Sequence, residues 1–346
     1  MERGGGGARL AAFEATEYNS RQMQAASCKL QTANCVSSEE APVSMQPIVE
    51  CIPNFSEGRR PEVIAAIADA LRAHAAVRLL DIESDADHNR SVFSFVAPPE
   101  AMVPAMFDAI KTAAALINLD GHRGAHPRIG ATDVVPFVPL RDVDMATCVA
   151  LARELGQRVG SELGIPVYLY EEAATRPDRV NLADVRRGEY EGLKAEIGTN
   201  PDRLPDFGPA RLGPAGATVI GGRAPLVALN VYLTTSNVEI ARHIARAVRH
   251  ASGGLRYVKA LGLLVNGKAQ VSMNLTDFRK TPIHRALEMV RREAERYGVG
   301  VESSELIGMV PQQALLDAAV WYLQLDNFDA RMVLENRLAE QGLSKE

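Results

Sequence analysis

The hydrophobic residues of this 346-residue chain recur with two periods, and the switch between the periods predicts its helices and strands. After Pro61, apolar side chains return every three or four residues, as on one face of a helix. At Ser91–Val96 they alternate with serine, as in a strand with one buried face. From residue 47 to residue 138 the predicted order is β-α-β-β-α-β, which is the ferredoxin-like arrangement.

The same order of elements is predicted again after Gly222. A capping box at Ser236–Glu239 opens the first helix of this second unit, and the Asn266-Gly267 pair joins two of its strands in a hairpin. We therefore predict an α+β fold of two tandem ferredoxin-like (βαββαβ) subdomains, with the sheets facing a shared cleft. The predicted strands of the two units are Ile48–Ile52, Val77–Ile82, Ser91–Val96, Val134–Val138, Leu226–Leu233, Val258–Val265, Gln270–Leu275 and one near Glu305–Val310, and Val167–Tyr170 is a further predicted strand between the units.

The remaining segments of the chain lie outside the two repeated units or are inserted into them, and they complete the predicted domain plan. The amino-terminal stretch contains a glycine run and no lasting period, so we expect it to be disordered, with Met45 as an alternative start of the protein. A helix at Met145–Leu163 and a glycine- and proline-rich loop at residues 205–216 are added to the first unit, and Pro311–Leu325 is predicted to be the last helix. The plan has an extension at residues 1–44, subdomains at residues 45–222 and 223–328, and a carboxy-terminal tail at residues 329–346.

Composition narrows the class of protein. With 47% hydrophobic and 23% charged residues, the chain is typical of a soluble globular protein that can bury a core. A net charge of -5 without a long basic run argues against nucleic-acid binding. No apolar stretch approaches the roughly 20 residues of a membrane helix, and no secretory signal is recognisable. The four cysteines lack metal-site spacing, so we expect reduced thiols in the cytoplasm.

One stretch, GHRGAHPRIG (Gly121–Gly130), concentrates the residues that can carry chemistry. Gly124 and Pro127 argue against a continuous helix, so we predict an irregular loop between a helix and a strand. A histidine can exchange a proton near neutral pH, and a neighbouring arginine can hold a carboxylate. A solvated basic loop without function is the alternative.

Other polar residues each allow two interpretations, one structural and one functional. The turn Asp85–Asn89 precedes a strand of the same unit, so His88, His122 and His126 with a carboxylate form one possible zinc or manganese site, while a solvated hairpin turn is the alternative. Three amides on or beside predicted strands are either ordinary sheet groups or ligand contacts. They are Asn54, Gln270 and Asn274.

Several unusual motifs in a fixed order resemble the glutamate formimidoyltransferase family, whose formiminotransferase domain occurs alone in bacteria and fused to a cyclodeaminase in animals. The resemblance covers residues 47 to about 327, and this chain resembles the stand-alone form. The motifs that carry it are VECIPNFSEGRR (Val49–Arg60), DADHNRSVFSFV (Asp85–Val96), GHRGAHPRIGATDVVPF (Gly121–Phe137) and IPVYLYEEAA (Ile165–Ala174).

The resemblance implies transfer of a formimino group from N-formimino-L-glutamate to N5 of tetrahydrofolate, a step of histidine breakdown, with tetrahydrofolate as co-substrate and without a metal. It places the catalytic histidine at His126, and Glu83 and Arg128 are candidates for catalytic support. It also implies a cytoplasmic enzyme, and we expect a homodimer. The folate-binding loop implied by the resemblance is Gly208, Pro209, Ala210, Arg211, Leu212, Gly213, Pro214, Ala215 and Gly216.

The transfer chemistry requires a base for the N5 proton and an acid for the departing glutamate nitrogen, and one histidine can serve as both in turn. Both substrates carry carboxylates, so cationic partners are needed. The substrate-binding candidates are Asn54, Arg90, Arg123, Gln270 and Asn274, and Arg128 is a further cationic candidate. Two other classes stay open, a metal-dependent hydrolase of a C–N bond and a folate-binding module without turnover, and N-formylglutamate is an alternative donor.

Overall fold

Two β-sheets with helices packed against them make up the part of the chain that the structure describes, which is residues 46–124 and 126–343 of a computed structural model. The fold is therefore mixed α+β, as predicted. The disordered extension predicted at residues 1–44 lies outside the described residues. Over the described residues, no helix is both long enough and apolar enough to cross a membrane.

The larger sheet contains seven strands and the smaller sheet contains four. The strands of the larger sheet are β1 (Ile48–Cys51), β2 (Asn54–Phe55), β3 (Arg78–Asp85), β4 (Arg90–Ala97), β5 (Thr132–Arg141), β6 (Val167–Glu171) and β7 (Thr218–Gly222). The strands of the smaller sheet are β8 (Val227–Leu233), β9 (Val258–Val265), β10 (Lys268–Leu275) and β11 (Val301–Ile307). The α-helices are α1 (Pro61–Arg72), α2 (Pro99–Leu116), α3 (Met145–Arg158), α4 (Leu182–Val185), α5 (Glu189–Glu196), α6 (Val238–Val248), α7 (Ile283–Glu295), α8 (Gln312–Leu323) and α9 (Leu334–Glu340).

The sheets differ in how their strands pair. In the larger sheet, β3 pairs with β4, and the interrupted strand β1–β2 lies antiparallel between β4 and β5. Strands β7 and β6 then extend this sheet in parallel on the far side of β5. The smaller sheet is antiparallel throughout, in the order β11-β8-β10-β9.

Helices cover one face of each sheet because apolar side chains alternate along the strands. On β4, Phe93 and Phe95 are fully buried against α1, α2 and α3, so Arg90, Val92 and Ser94 lie on the opposite face. On β10 the buried Val271 likewise faces the helices of the second sheet. Each sheet thus has a helix-covered face and a second face.

The second face of the larger sheet is covered only in part. Around β5, β6 and β7 it packs on the chain that follows β6, where Val185, Leu193 and Ile197 meet Tyr168 and Val219 in a separate buried cluster. Beside this cluster, the part of the same face formed by β2, β3 and β4 carries polar side chains. The candidate site lies there.

Several predicted boundaries need correction. The capping box at Ser236–Glu239 is wrong, because α6 begins at Val238 and its N-cap is Asn237, whose side chain accepts a hydrogen bond from the Glu239 amide. Strand β11 spans Val301–Ile307 and not Glu305–Val310, since polar side chains on both exposed faces hide its alternation and Gly308 turns the chain at φ 68°. The helix predicted at Pro311–Leu325 is not the last, because α9 follows it. Strand β7, with two glycines in five residues, was not predicted.

Candidate active site

The register of the larger sheet brings candidate residues from three strands onto one face. Val92 on β4 lies opposite Glu83 on β3 and opposite Asn54 on β2, so the three side chains form one row across the sheet. Arg90 stands two residues from Val92 along β4 and therefore projects from the same face. Three residues singled out from the sequence, Asn54, Glu83 and Arg90, are thus neighbours.

His126 reaches this row from the loop before β5. Its Nε2 atom lies 2.9 Å from Nη1 of Arg90, and the same Nη1 lies 3.4 Å from Oδ1 of Asn54. Because a guanidinium group only donates hydrogen bonds, Nε2 of His126 must be the acceptor. The imidazole is therefore neutral, with its proton on Nδ1.

Burial and positive charge both act against protonation of His126. Removal from water, together with the smaller effects of Arg90, Arg186 and His88, lowers the pKa of this imidazole from its usual 6.5 to about 2. Burial also lowers the pKa of Arg90. In this state His126 is a neutral group whose only lone pair is occupied by Arg90.

His122, at the entrance of the same loop, has a different environment. It is buried, its Nε2 donates to the main-chain oxygen of Asn89 at 3.0 Å, and its Nδ1 accepts from Nε of Arg128 at 3.2 Å. Burial lowers the pKa of His122, and the positive charge of Arg128 lowers it further. With both ring nitrogens engaged, His122 holds the loop in place and offers no free lone pair to a substrate.

Asn89 connects the loop to two other segments of the first unit. Its Oδ1 accepts from the Gly58 amide at 3.0 Å and its Nδ2 donates to the Arg123 carbonyl at 3.0 Å. Asn89 has a φ of 49°, in the left-handed region that Asn tolerates better than most residues. A Cβ on Gly124 would lie 2.2 Å from the main-chain oxygen of His88, so the loop passes against the β3–β4 turn at a distance that only glycine allows.

Arg128 is bonded to His122 and to the start of α5. Its guanidinium is buried and forms ion pairs with Glu189 at 2.9 Å and Glu191 at 2.7 Å, at the start of α5. The hydrogen bond to Glu191 raises the pKa of Arg128. Arg123 is exposed, and its Nη1 donates to the His122 carbonyl of its own loop at 2.7 Å.

The glycine- and proline-rich loop is hydrogen-bonded to the chain on both sides of His126. The amide of Leu119 donates to the Pro214 carbonyl and the amide of Ala131 donates to the Ala215 carbonyl, both at 2.8 Å. Gly216 adopts a φ of 71° and forms a β-bridge with Gly130. The other end of the loop begins at Gly208, with a φ of 84°, beside the helical turn that ends α3. Between these ends, the side chains of Ala210, Arg211 and Pro214 are exposed.

The last two amide candidates belong to the smaller sheet. Gln270 is buried on β10, where it is paired with Tyr232 of β8, and Asn274 on the same strand is exposed. The two sheets are linked near Glu83, whose Oε1 accepts from the Gly308 amide at 3.0 Å. Glu83 is therefore tied to the end of β11 as well as facing the site on β3.

The arrangement of the three histidines does not suit the zinc or manganese site that was one possible interpretation of the sequence. His88 has its Nδ1 2.9 Å from a carboxylate oxygen of Asp85, His122 uses both ring nitrogens within the protein, and His126 is bound by Arg90. Among the residues that the structure describes, no group of three or more His, Cys, Asp or Glu side chains is placed to hold a metal ion.

Two residues of the site were not identified from the sequence. Asp133, at the start of β5, is 2% exposed, and its Oδ1 accepts from the Ile129 amide at 2.8 Å. Its other oxygen pairs with the guanidinium of Arg186, which follows α4. A charged residue at the head of the apolar strand TDVVPFV was the available signal for Asp133. No pattern distinguishes Arg186 from the other arginines of its polar segment.

Comparisons with known proteins agree over almost the whole periodic part of the chain. Residues 48–223 match the model of the formiminotransferase domain, N-terminal subdomain, and residues 228–340 match the model of the formiminotransferase domain. A glutamate formimidoyltransferase of Thermoplasma acidophilum is 54% identical over 295 residues, covering 84% of this chain and 97% of the relative. One of Streptococcus pyogenes is 46% identical, covering 85% of this chain and 99% of the relative.

A longer relative, the formimidoyltransferase-cyclodeaminase of Dictyostelium discoideum, is 42% identical over 86% of this chain but over only 57% of its own length. The likeness to the shorter relatives, in contrast, runs through nearly their full length. Both halves of the fold are included in the two family matches. The chain belongs to the formiminotransferase domain family.

Proposed function

We propose that this chain transfers the formimino group of N-formimino-L-glutamate to N5 of tetrahydrofolate, giving 5-formiminotetrahydrofolate and L-glutamate. The observation that carries the proposal is the 54% identity, over 97% of its length, to a relative that is named for this activity. The position of His126 in a polar group on an uncovered sheet face supports it, because proton transfer needs a histidine that a substrate can reach.

In the proposed reaction, N5 attacks the formimino carbon and forms a new C–N bond. His126 takes the proton that N5 loses, acting as general base through Nε2. The same proton is then delivered to the glutamate nitrogen as its bond to the formimino carbon breaks, so glutamate leaves as a neutral amine and the electrons of the broken bond stay on that nitrogen. One histidine thus serves both steps without net change in its own protonation.

The neighbours of His126 have separate parts in this proposal. Glu83 faces the same surface and helps to orient the cationic groups beside the histidine, and Asn54 and Arg90 bind substrate polar groups. Arg128 supports catalysis indirectly, since its contacts with His122 and α5 fix the loop that carries His126. Arg123, exposed at the loop's surface, is proposed to attract the carboxylates of an incoming substrate.

The loop Gly208–Gly216 is proposed to bind the folate. Its main-chain bonds to Leu119 and Ala131 attach it to the two ends of the histidine loop, so a pterin held by the one loop lies near the other. Gln270 and Asn274 of the smaller sheet are proposed to complete the binding surface. They project from the face of β10 opposite the buried Val271, which is the face that the helices leave open.

The strand orders support a finer description of the fold. In each half, the first strand of the β-α-β-β-α-β series lies between the third and the fourth, and the second lies at an edge. We propose that both halves are ferredoxin-like subdomains whose open faces line a shared cleft, that the protein acts as a homodimer without a metal, and that it works in the cytoplasm. The buried free thiols Cys51 and Cys148 are in keeping with a reducing compartment.

The decisive experiment is an assay of the purified chain with formiminoglutamate and tetrahydrofolate. The amounts of 5-formiminotetrahydrofolate and glutamate that are formed are both measured. N-formylglutamate is run in parallel to test the alternative donor. Equal production of both products with formiminoglutamate, unchanged by a chelator, is the expected result. Glutamate release without tetrahydrofolate, or a requirement for added zinc, would show a hydrolase instead.

A further inference from the structure

Arg186 is a second guanidinium group directed toward the histidine loop. It follows α4, in the segment that covers the second face of the larger sheet, and Asp133 on β5 pairs with its Nη2. Asp133 is also bonded to the Ile129 amide, three residues after His126. The Arg186 head group is thus fixed against the base of the loop, with a side-chain exposure of 15%.

Part of the hydrogen-bonding capacity of Arg186 is unused. Its Nε atom is buried and has no hydrogen-bond partner among the described residues. An unpaired donor on a buried charged group is unfavourable, and a bound anion would satisfy it. Asp133 accepts from the Ile129 amide through one oxygen and from Nη2 of Arg186 through the other, and neither oxygen accepts from Nε of Arg186.

Arg186 and Arg90 approach His126 from different elements. Arg90 comes from β4 and contacts the imidazole directly, whereas Arg186 comes from the chain after α4. The positive charges of both arginines lower the pKa of His126, and Arg186 also lowers the pKa of Arg90, as expected for three groups that share one small region. The nearby negative groups are Asp85, Glu83 and Asp133, and Asp133 is already paired with Arg186. The unpartnered Nε of Arg186 therefore favours an anionic ligand, to which Arg90 can also donate.

Within the proposed function, the donor carries such an anion next to its reacting group. A single carbon of formiminoglutamate bears both the formimino nitrogen and the α-carboxylate, so a formimino group at His126 brings the α-carboxylate to the same place. We propose that Arg186, together with Arg90, binds the α-carboxylate of the donor and thereby selects α-amino acid derivatives. This inference rests on the proposed function and names the group that recognises one end of its substrate.

Binding of the carboxylate also prepares the base. A charged carboxylate is a stronger acceptor for Arg90 than a neutral imidazole, so Arg90 transfers its hydrogen bond from Nε2 of His126 to the substrate. The lone pair of Nε2 then becomes available for the N5 proton. Substrate recognition and release of the base are thus one event, and both require an α-carboxylate.

The test compares two donors on wild-type protein and on Arg186→Gln. The second donor is the formimino derivative of 4-aminobutanoate, which keeps the distal carboxylate but lacks the α-carboxylate. A charged, forked contact accounts for roughly 10- to 100-fold in kcat/KM. Wild type is expected to prefer formiminoglutamate by at least that factor, and Arg186→Gln is expected to lose most of the preference while the KM for tetrahydrofolate stays unchanged.

Arg187→Gln is the matched control, because Arg187 is the exposed neighbour that pairs with Asp184 within its own turn. It should keep wild-type discrimination. Arg186→Lys is measured as well, since it keeps a positive charge beside Asp133. If Arg186→Gln does not fold, the ratio of kcat/KM for the two donors is measured on Arg186→Lys instead. Equal losses for both donors would overturn the inference and leave Arg186 structural, whereas a wild-type protein inactive with formiminoglutamate would instead refute the proposed function.

Discussion

Arg90 donates a hydrogen bond from Nη1 to Nε2 of His126 across 2.9 Å, and this contact occupies the atom that would act as the base. The two residues come from elements that the sequence separates by 36 positions, a strand and a loop. Because the guanidinium remains charged, the contact favours the neutral imidazole and opposes its protonation. Under the proposed mechanism, His126 is therefore neutral, as a base must be, while its lone pair is engaged by Arg90.

The first prediction concerns the pH dependence of kcat/KM, which reports ionisations of the free enzyme. With the pKa of His126 lowered to about 2, the imidazole stays neutral through the whole working range, so wild type should show no loss of kcat/KM from this group between pH 5 and 8, a range chosen to bracket the ordinary histidine pKa of roughly 6.5. Arg90→Gln removes one positive neighbour and should raise that pKa. Activity of this variant should be lower and should fall further as the pH drops.

The measurement is kcat/KM for wild type and Arg90→Gln across the same buffers, so that ionisations of the substrates cancel in the ratio. The imidazole stays buried in the variant, and Arg186 and His88 continue to lower its pKa, so the new acid limb should lie below 6.5. A ratio independent of pH would contradict the role assigned to Arg90.

The second prediction separates the two histidines of the loop. His126→Ala should reduce kcat by roughly 10²–10⁴-fold because the acid and base of the transfer are lost. The affinity for tetrahydrofolate should change much less, since the proposed folate-binding loop is formed by other residues. Steady-state kinetics and a separate folate titration measure the two effects. Near-normal kcat in His126→Ala would exclude the proposed mechanism.

His122→Ala serves as the comparison, because His122 is buried with both ring nitrogens bonded. Its loss leaves the Asn89 carbonyl and the Arg128 Nε without partners. The expected effect is mainly a lower melting temperature, accompanied by a smaller decrease in kcat than that of His126→Ala. A larger loss of kcat than in His126→Ala, without loss of stability, would reverse the roles of the two histidines.

The third prediction concerns Arg128, which joins the loop to α5. Arg128→Met should destabilise the fold by about 1–3 kcal/mol, since it removes charged hydrogen bonds and leaves Nδ1 of His122 unpaired. The loss stays moderate because the carboxylates of Glu189 and Glu191 are 44% and 60% exposed and can be hydrated. Urea unfolding measures it. Glu191→Gln is the control and should cost less than about 1 kcal/mol.

The parts of the site that could be predicted are those marked by a pattern of neighbouring residues in the sequence. The glycines, proline and histidines of Gly121–Gly130 mark a reactive loop within ten residues of sequence. The pairing of Asn54 with Val92, in contrast, depends on sheet register, which a list of strands does not determine. The partners of Arg128 depended on α5, a short helix in a polar segment, so a cation two residues from His126 in sequence pairs with Glu191.

The elements of the fold likewise divide into those with a strong sequence pattern, which were predicted, and those without one, which were missed. Strong alternation and turn residues predicted β4, β10 and the hairpin at Asn266-Gly267, where both residues have positive φ. Strand β7 was missed because a short run ending in two glycines lacks a period, and only its parallel pairing with β5 and β6 identifies it. Arg186 became recognisable only through the buried partner that the fold supplies.

The last prediction tests the junction between the histidine loop and the proposed folate loop. A Cβ on Gly216 would lie 2.2 Å from the Ile129 carbonyl oxygen, in a residue whose φ of 71° is already unfavourable for other side chains. Because backbone atoms on both sides are held by hydrogen bonds, Gly216→Ala should destabilise the protein by about 2–4 kcal/mol and weaken folate binding. Gly213→Ala is the matched control in the same loop, since a Cβ there meets no atom within 4 Å. It should leave the free energy of unfolding within about 1 kcal/mol of wild type. Urea unfolding and folate titration of both variants decide the matter, and equal behaviour of the two would show that this junction does not hold the loops together.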